Sequence, residues 1–235
     1  NTYGVTFDPK WWIVVPKYQN VTYEQPYGNM PNPTRNGNHF DGWYDVEIWG
    51  QKIEATTIFR LTDDQTLYAY WTPITYNIMY EEVDSGYLAP TSYTVLSRIK
   101  IPHPNKEGHK FLWWKEYICN KTDINQCSWT DREHIGKILK EWDNTTLPEW
   151  TTLNRKYIAQ WEANEYAVTW ISNGNLLKVN MLPYGSIPVY SWEDPFREPD
   201  AQYTYTFTWW TDGINEYWID ENLPEVNWIV TYSAI

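Results

Sequence analysis

The chain has 235 residues, with 20 Tyr and 17 Trp against 6 Phe, and a formal net charge of −12 at pH 7. That charge, with no basic stripe, argues against a nucleic-acid or anionic-membrane surface, where Lys and Arg must neutralise phosphate. No run of 18 apolar residues could span a bilayer, and no signal peptide or anchoring tail is visible; the chain begins inside an expected strand and ends just after one, so it reads as a segment of something longer.

In chain order, Thr2 to Asp8 alternates as a strand and Asp8-Pro9 begins a turn. Val21-Thr22-Tyr23 is a second strand, leading into the proline-punctuated stretch Pro26 to Pro33. Phe40 to Val46 is a third, carrying Trp43 inward. Lys52 to Thr57 connects to a closing strand at Leu67 to Trp71, and Thr72-Pro73 reads as a short linker. The pattern then returns. Tyr76 to Tyr80 opens a second copy, Pro104 to Trp114 repeats the glycine turn and tryptophan, and Lys156 to Trp161 closes it. A third, more diverged copy opens at Tyr166 to Trp170, passes through Tyr205 to Trp210 and closes at Val230-Thr231-Tyr232. Three imperfect repeats make an array, divided at 1–73, 74–163 and 164–235. Modules of this size are marginal alone and gain from their neighbours.

The second copy carries an insertion at about 115–145. Within it Ile135, Ile138, Leu139 and Trp142 fall on one helical face, with Thr130 as N-cap and Glu133 as its capping-box partner. The predicted fold is therefore mainly β, α+β in detail.

Little in the chain resembles catalytic chemistry. Cys119 and Cys127, eight residues apart, could close a disulfide or remain free thiols, and they lack zinc spacing. His39, His103, His109 and His134 have no ligand spacing, and His39 and His109 share a repeat position in a turn. Asp63-Asp64, Glu81-Glu82 and Glu193-Asp194 read as solvated acidic faces rather than a glycosidase pair. No phosphate loop, dinucleotide fingerprint or nucleophile elbow is present. No catalytic residue, metal or cofactor is expected, and the chain reads as a non-enzyme.

Val5-Thr6-Phe7-Asp8, Tyr27-Gly28, Pro33-Thr34-Arg35-Asn36-Gly37, Phe40-Asp41-Gly42-Trp43-Tyr44 and Thr66-Leu67-Tyr68-Ala69-Tyr70-Trp71 resemble the Listeria–Bacteroides repeat family, related to the internalin B-repeat. The second copy fits through Pro104 to Gly108 and Ala159-Gln160-Trp161, and the third resembles a sister repeat through Val168-Thr169-Trp170, Pro183-Tyr184-Gly185 and Tyr203-Thr204-Tyr205. The resemblance implies small β-grasp-like modules in an elongated array, on the extracellular face of a bacterium. It implies a stalk or adhesive role, with partners among host, matrix or cell-wall glycans or proteins, and it brings no catalytic residues.

On this reading Trp43, Trp71, Trp114, Trp161, Trp170 and Trp210 are structural core. Trp11, Trp12, Trp49, Trp113, Trp192, Trp209 and Trp228 stand where the family has glycine, and Trp129, Trp150 and Trp218 lie in turn-like surroundings. Two explanations compete. The gene could come from a lineage that reads UGA as glycine, translated here as tryptophan. Alternatively, exposed Trp such as Trp11 and Trp12 form a ligand-stacking surface, giving a carbohydrate-binding array.

Overall fold

The computed structural model describes residues 1–10, 13–121, 123–129, 139–140, 146–219 and 221–235. The alternating segments become strands for the expected reason: one face of each is apolar and packs inward. The first sheet contains β1 (Thr2–Asp8), β2 (Tyr18–Thr22), β3 (Asn38–Tyr44), β4 (Lys52–Ile53) and β5 (Gln65–Pro73), in the order β2-β1-β5-β3-β4. The β1–β5 pair is parallel and the other pairs are antiparallel.

The second stretch contains β6 (Tyr76–Glu81), β7 (Ser92–Tyr93), β8 (Ile99–Lys100), β9 (His109–Cys119), β10 (Leu139–Lys140), β11 (Thr146–Leu147) and β12 (Asn154–Ala163). Its main sheet runs β7-β6-β12-β9-β10, with β8 and β11 as a separate pair. The third contains β13 (Glu165–Ser172), β14 (Asn175–Pro183), β15 (Trp209–Thr211), β16 (Glu216–Trp218) and β17 (Val230–Ala234), in the order β14-β13-β17-β15-β16. All three sheets share one topology. The opening strand pairs antiparallel with the second and parallel with the closing strand, which then pairs with the third.

The mainly β expectation is met. The expected helix is displaced where it can be seen: Leu139-Lys140 pair as a strand with Trp114 and Trp113. The edge of β9 offers unpaired backbone groups there, and satisfying them overrides a local helical period. Residues 130–138 and 141–145, the rest of that expectation, lie outside the described residues. The only helical turn among the described residues is a 3-10 turn at Ile124–Gln126, capped by Asp123. Thr72-Pro73 is no linker either, because β5 runs through it.

Each sheet has its own apolar core, and the three cores are built alike. Across the parallel pair, Phe7 faces Leu67, Tyr80 faces Tyr157 and Trp170 faces Tyr232. Across the antiparallel pair, Trp43 faces Ala69, Trp114 faces Ala159 and Trp210 faces Ala234. A large indole thus lies beside a small methyl in every sheet. Phe40, Phe111 and Phe207, each three residues before its tryptophan, touch those same indoles at centroid distances of 5.4, 5.3 and 5.0 Å. Residues three apart on a regular strand point to opposite faces. In the first two sheets a bulge at Asp41 and at Leu112 resets the phase, so both aromatic rings turn inward.

Trp43, Trp114, Trp170 and Trp210 are buried, whereas Trp71 and Trp161 are only partly so and cap the edges of their cores. The Trp43 Nε1–H donates to the Pro31 carbonyl at 2.7 Å, and the Trp161 Nε1–H donates to the Glu82 carbonyl at 2.8 Å.

Trp43→Ala should cost about 3–5 kcal/mol, since it removes a fully packed aromatic ring and leaves a cavity. Ala159→Leu should cost about 1–3 kcal/mol, because no space remains beside Trp114. Urea denaturation of the two variants measures both.

Candidate functional site

Three places combine aromatic or charged side chains in a way that could serve a ligand or a partner. The first is a groove of about 430 Å³ on the first sheet, lined by Lys10, Arg35, Glu47, Ile48, Trp49, Ala69, Tyr70 and Trp71. Its floor is set by strand pairing. Tyr44 and Tyr70, opposed by near neighbours on β3 and β5, stack at 3.8 Å and 12°. The Tyr70 hydroxyl accepts from the Gly50 amide at 3.1 Å and donates to the Val46 carbonyl at 3.2 Å, which ties the loop carrying Trp49 to the sheet. The Lys10 ammonium lies 5.4 Å from the Tyr70 ring centre and donates to the Glu47 carbonyl, with the Glu47 carboxylate 3.6 Å away. The buried Nε1–H of Trp71 has no hydrogen-bond partner among the described residues. Chemically the groove offers flat apolar faces and one cation–anion pair. Glu47 is the only carboxylate lining it, so it holds no acid–base pair.

The second place is a buried ionic cluster in the second sheet. Glu116, 5% exposed, accepts from the Arg155 guanidinium and, at 2.8 Å, from the Tyr157 hydroxyl. Arg155 Nε donates to the Tyr93 hydroxyl at 3.1 Å, and that hydroxyl donates to the Leu153 carbonyl. Burial first, then the Glu116 charge, pushes the Tyr157 phenol far above its ordinary range. Every member is partnered and enclosed, so the cluster braces β9 against β12 rather than presenting a reactive group.

The third place is a cleft of about 500 Å³ in the third sheet, lined in part by Ile171, Arg197, Tyr205, Phe207 and Ile235. The Arg197 guanidinium lies 3.7 Å from the centre of the Tyr205 ring, and the Tyr205 hydroxyl donates to Asp200 at 2.5 Å. The Asn173 side-chain amide donates to the Ser172 hydroxyl at 3.4 Å in the same cleft.

Cys119 and Cys127 are joined in a disulfide that ties the end of β9 to the capped 3-10 turn. Trp11 and Trp12, the sequence's candidates for ligand stacking, lie outside the described residues. No group of three or more potential metal ligands occurs among the described residues. His39 and His109 lie on β3 and β9 rather than in the turns before them, and they are not equivalent, since the turn closed by Asn38 corresponds to the one closed by His109. His109 Nδ1 lies 2.7 Å from the Glu107 carbonyl. Sequence reasoning missed the first groove because Lys10, Glu47 and Tyr70 come from three separate segments. A repeated Tyr on β3 and β5 was its only signal.

The backbone separates the tryptophans into two populations. Trp49, Trp129 and Trp150 adopt φ of 61°, 50° and 68°, in the left-handed region that glycine favours. Trp49 is 95% exposed, and Trp150, Trp192, Trp218 and Trp228 are exposed as well. Trp113 and Trp209 differ: both lie on strands without a positive φ, although the equivalent Gly42 has φ of 132°. For those two positions the backbone makes no demand for glycine.

The family profile of the Listeria-Bacteroides repeat domain matches residues 3–70. A protein of Evansella cellulosilytica named as a membrane protein is 29% identical over 150 residues, covering 60% of this chain and 18% of the relative. A second from that bacterium, named as a Gly-rich membrane protein, is 26% identical over 183 residues, covering 74% of this chain and 18% of the relative. Internalin H of Listeria monocytogenes is 35% identical over 83 residues, covering 35% of this chain and 15% of its own length. The chain thus spans less than a fifth of the curated relatives it matches. Residues 3–70 are therefore a Listeria-Bacteroides repeat, and the likeness to internalin H supports that assignment.

Trp49→Gly should raise the melting temperature by a few degrees, because the indole has almost no packing to lose and a Cβ in the left-handed region costs about 1–2 kcal/mol. On the recoding explanation the coding DNA carries TGA at Trp49, Trp129 and Trp150 and TGG at Trp43, Trp114 and Trp170, and TGG at all six positions would overturn it.

Proposed function

We propose that this chain is a non-catalytic stalk or spacer segment of a bacterial surface protein, built from three repeat modules bounded near residues 73 and 163. The observation that carries this reading is the threefold recurrence of one strand order, with a tryptophan facing an alanine at the same place in each sheet. Such an array invests its large aromatic residues in packing, and each module gives the next a surface to build on. The disulfide fits an oxidising, extracellular setting. The names of the relatives, two membrane proteins and an internalin, support a place at the cell surface. No helix among the described residues is long and apolar enough to cross a membrane.

A second reading is adhesive, with the groove around Tyr70 and Trp71 stacking on a sugar of a host, matrix or cell-wall glycan. The exposed indole of Trp49 beside an aromatic floor favours it.

Small-angle scattering of the chain separates a spacer from a compact globule. The expected radius of gyration is well above the roughly 17–18 Å of a compact 235-residue domain. A value near 18 Å would sink the stalk. A titration with cell-wall polysaccharide, read by tryptophan fluorescence and repeated on Tyr70→Ala, decides between silent spacing and adhesion. Saturable quenching that the substitution removes would favour the second reading.

A further inference from the structure

The two junctions between successive sheets are built from the same parts. Before β3 the turn Arg35-Asn36-Gly37-Asn38 closes with the Asn38 amide donating to the Arg35 carbonyl, and before β9 the turn Lys106-Glu107-Gly108-His109 closes in the same way. Gly37 and Gly108 sit at equivalent places, with φ of 71° and 65°. The carbonyl of each accepts a hydrogen bond from the residue that leaves the closing strand. Ile74 donates to Gly37 at 2.9 Å, and Asn164 donates to Gly108 at 2.8 Å. The basic residue of each turn lies over the last tryptophan of its closing strand, Arg35 at 6.0 Å from Trp71 and Lys106 at 5.8 Å from Trp161.

Each glycine also touches the next module. A Cβ on Gly37 would overlap Val95 and press on Thr152, and a Cβ on Gly108 would overlap the ring of Tyr184. Val95 and Tyr184 both lie just beyond the second strand of their own sheet. Arg35 reaches across as well, 5.5 Å from the Trp150 ring. At the second junction Asn164 alone separates β12 from β13, and its carbonyl accepts from the Tyr184 amide at 2.8 Å. The linking residue is therefore held by one module through its amide and by the other through its carbonyl.

We infer that the glycine-tipped turn before the third strand is a docking surface whose partner is the following module of the same chain. Successive modules meet at a built joint, with an orientation set by the turn, and not through a free linker. Glycine is required at the tip twice over, for its backbone conformation and for the close approach of the neighbour. The inference stands whatever the array presents or binds.

Residue-resolved amide exchange on the whole chain tests it, with Gly174 as the control. Gly174 has a φ of 76°, but an added Cβ there meets nothing within 4 Å, so Gly174→Ala carries the backbone strain without the contact. In the parent chain the amides of Ile74 and Asn164 should be protected although both lie between strands. Gly108→Ala should reduce protection at Asn164 by at least about ten-fold while Ile74 is unchanged, and Gly174→Ala should move neither. Tyr184→Ala, which leaves the turn itself intact, should reproduce the loss at Asn164 and covers the case in which Gly108→Ala fails to fold. Exchange at Ile74 and Asn164 as fast as in an unstructured peptide would overturn the inference, and so would a Tyr184→Ala variant that keeps full protection at Asn164. A Gly174→Ala variant that loosens Asn164 as much as Gly108→Ala does would overturn it too.

Discussion

The contact between an indole and the alanine opposite it organises this protein. Trp43 on Ala69, Trp114 on Ala159 and Trp210 on Ala234 place the largest side chain of each core beside one of the smallest, at the centre of the sheet. Everything near it follows from the space that an indole needs. The opening strand contributes a ring, Phe7, Tyr80 or Trp170, that lies against the tryptophan or its neighbours at 4.8–5.7 Å. In the first two sheets a bulge brings a phenylalanine round to the same face. Aromatic pairs gain from such offset and tilted contacts beyond their buried area, so each five-stranded sheet can hold a core that aliphatic side chains alone would fill less well.

The tryptophan–alanine contact also sets what happens at the ends of the sheets. Because the closing strand lies in the middle of each sheet, it must leave beside the turn that precedes the third strand. The glycine of that turn is then next to the departing chain and next to the following module. A joint arises at the same place each time without any further sequence signal. Strand order and joint are two consequences of one topology.

The buried Glu116–Arg155–Tyr157 cluster is fully partnered, and the groove on the first sheet is lined by a single carboxylate, Glu47. Aromatic side chains serve two different ends. Those on the inward faces of the strands pack, while Trp49, Trp129 and Trp150 occupy backbone conformations that disfavour any side chain. Their strain is a property of the turn, so an indole there stands against the local preference rather than because of it.

The repeat, the strand positions, the core tryptophans on the strands and the family were legible in the sequence, because alternation and recurrence are local and survive divergence. Leu139 shows where local reasoning ends. Its helical spacing was real, but the free edge of β9 beside it decided the outcome, and an edge exists only once the sheet has formed. Thr72-Pro73 looked like punctuation until β5 was seen to need pairing there with Asn38 and His39. The groove on the first sheet and the joints at Gly37 and Gly108 were beyond the sequence for the same reason. Their parts come from segments tens of residues apart, or from two modules, and only the packing of sheets brings them together. By itself the sequence determined the opening and closing strands of each sheet and the burial of Trp43, Trp114, Trp170 and Trp210, since those follow from the alternation of apolar side chains. Tertiary structure alone decided which surfaces meet, because contact between distant segments depends on topology and not on any local pattern.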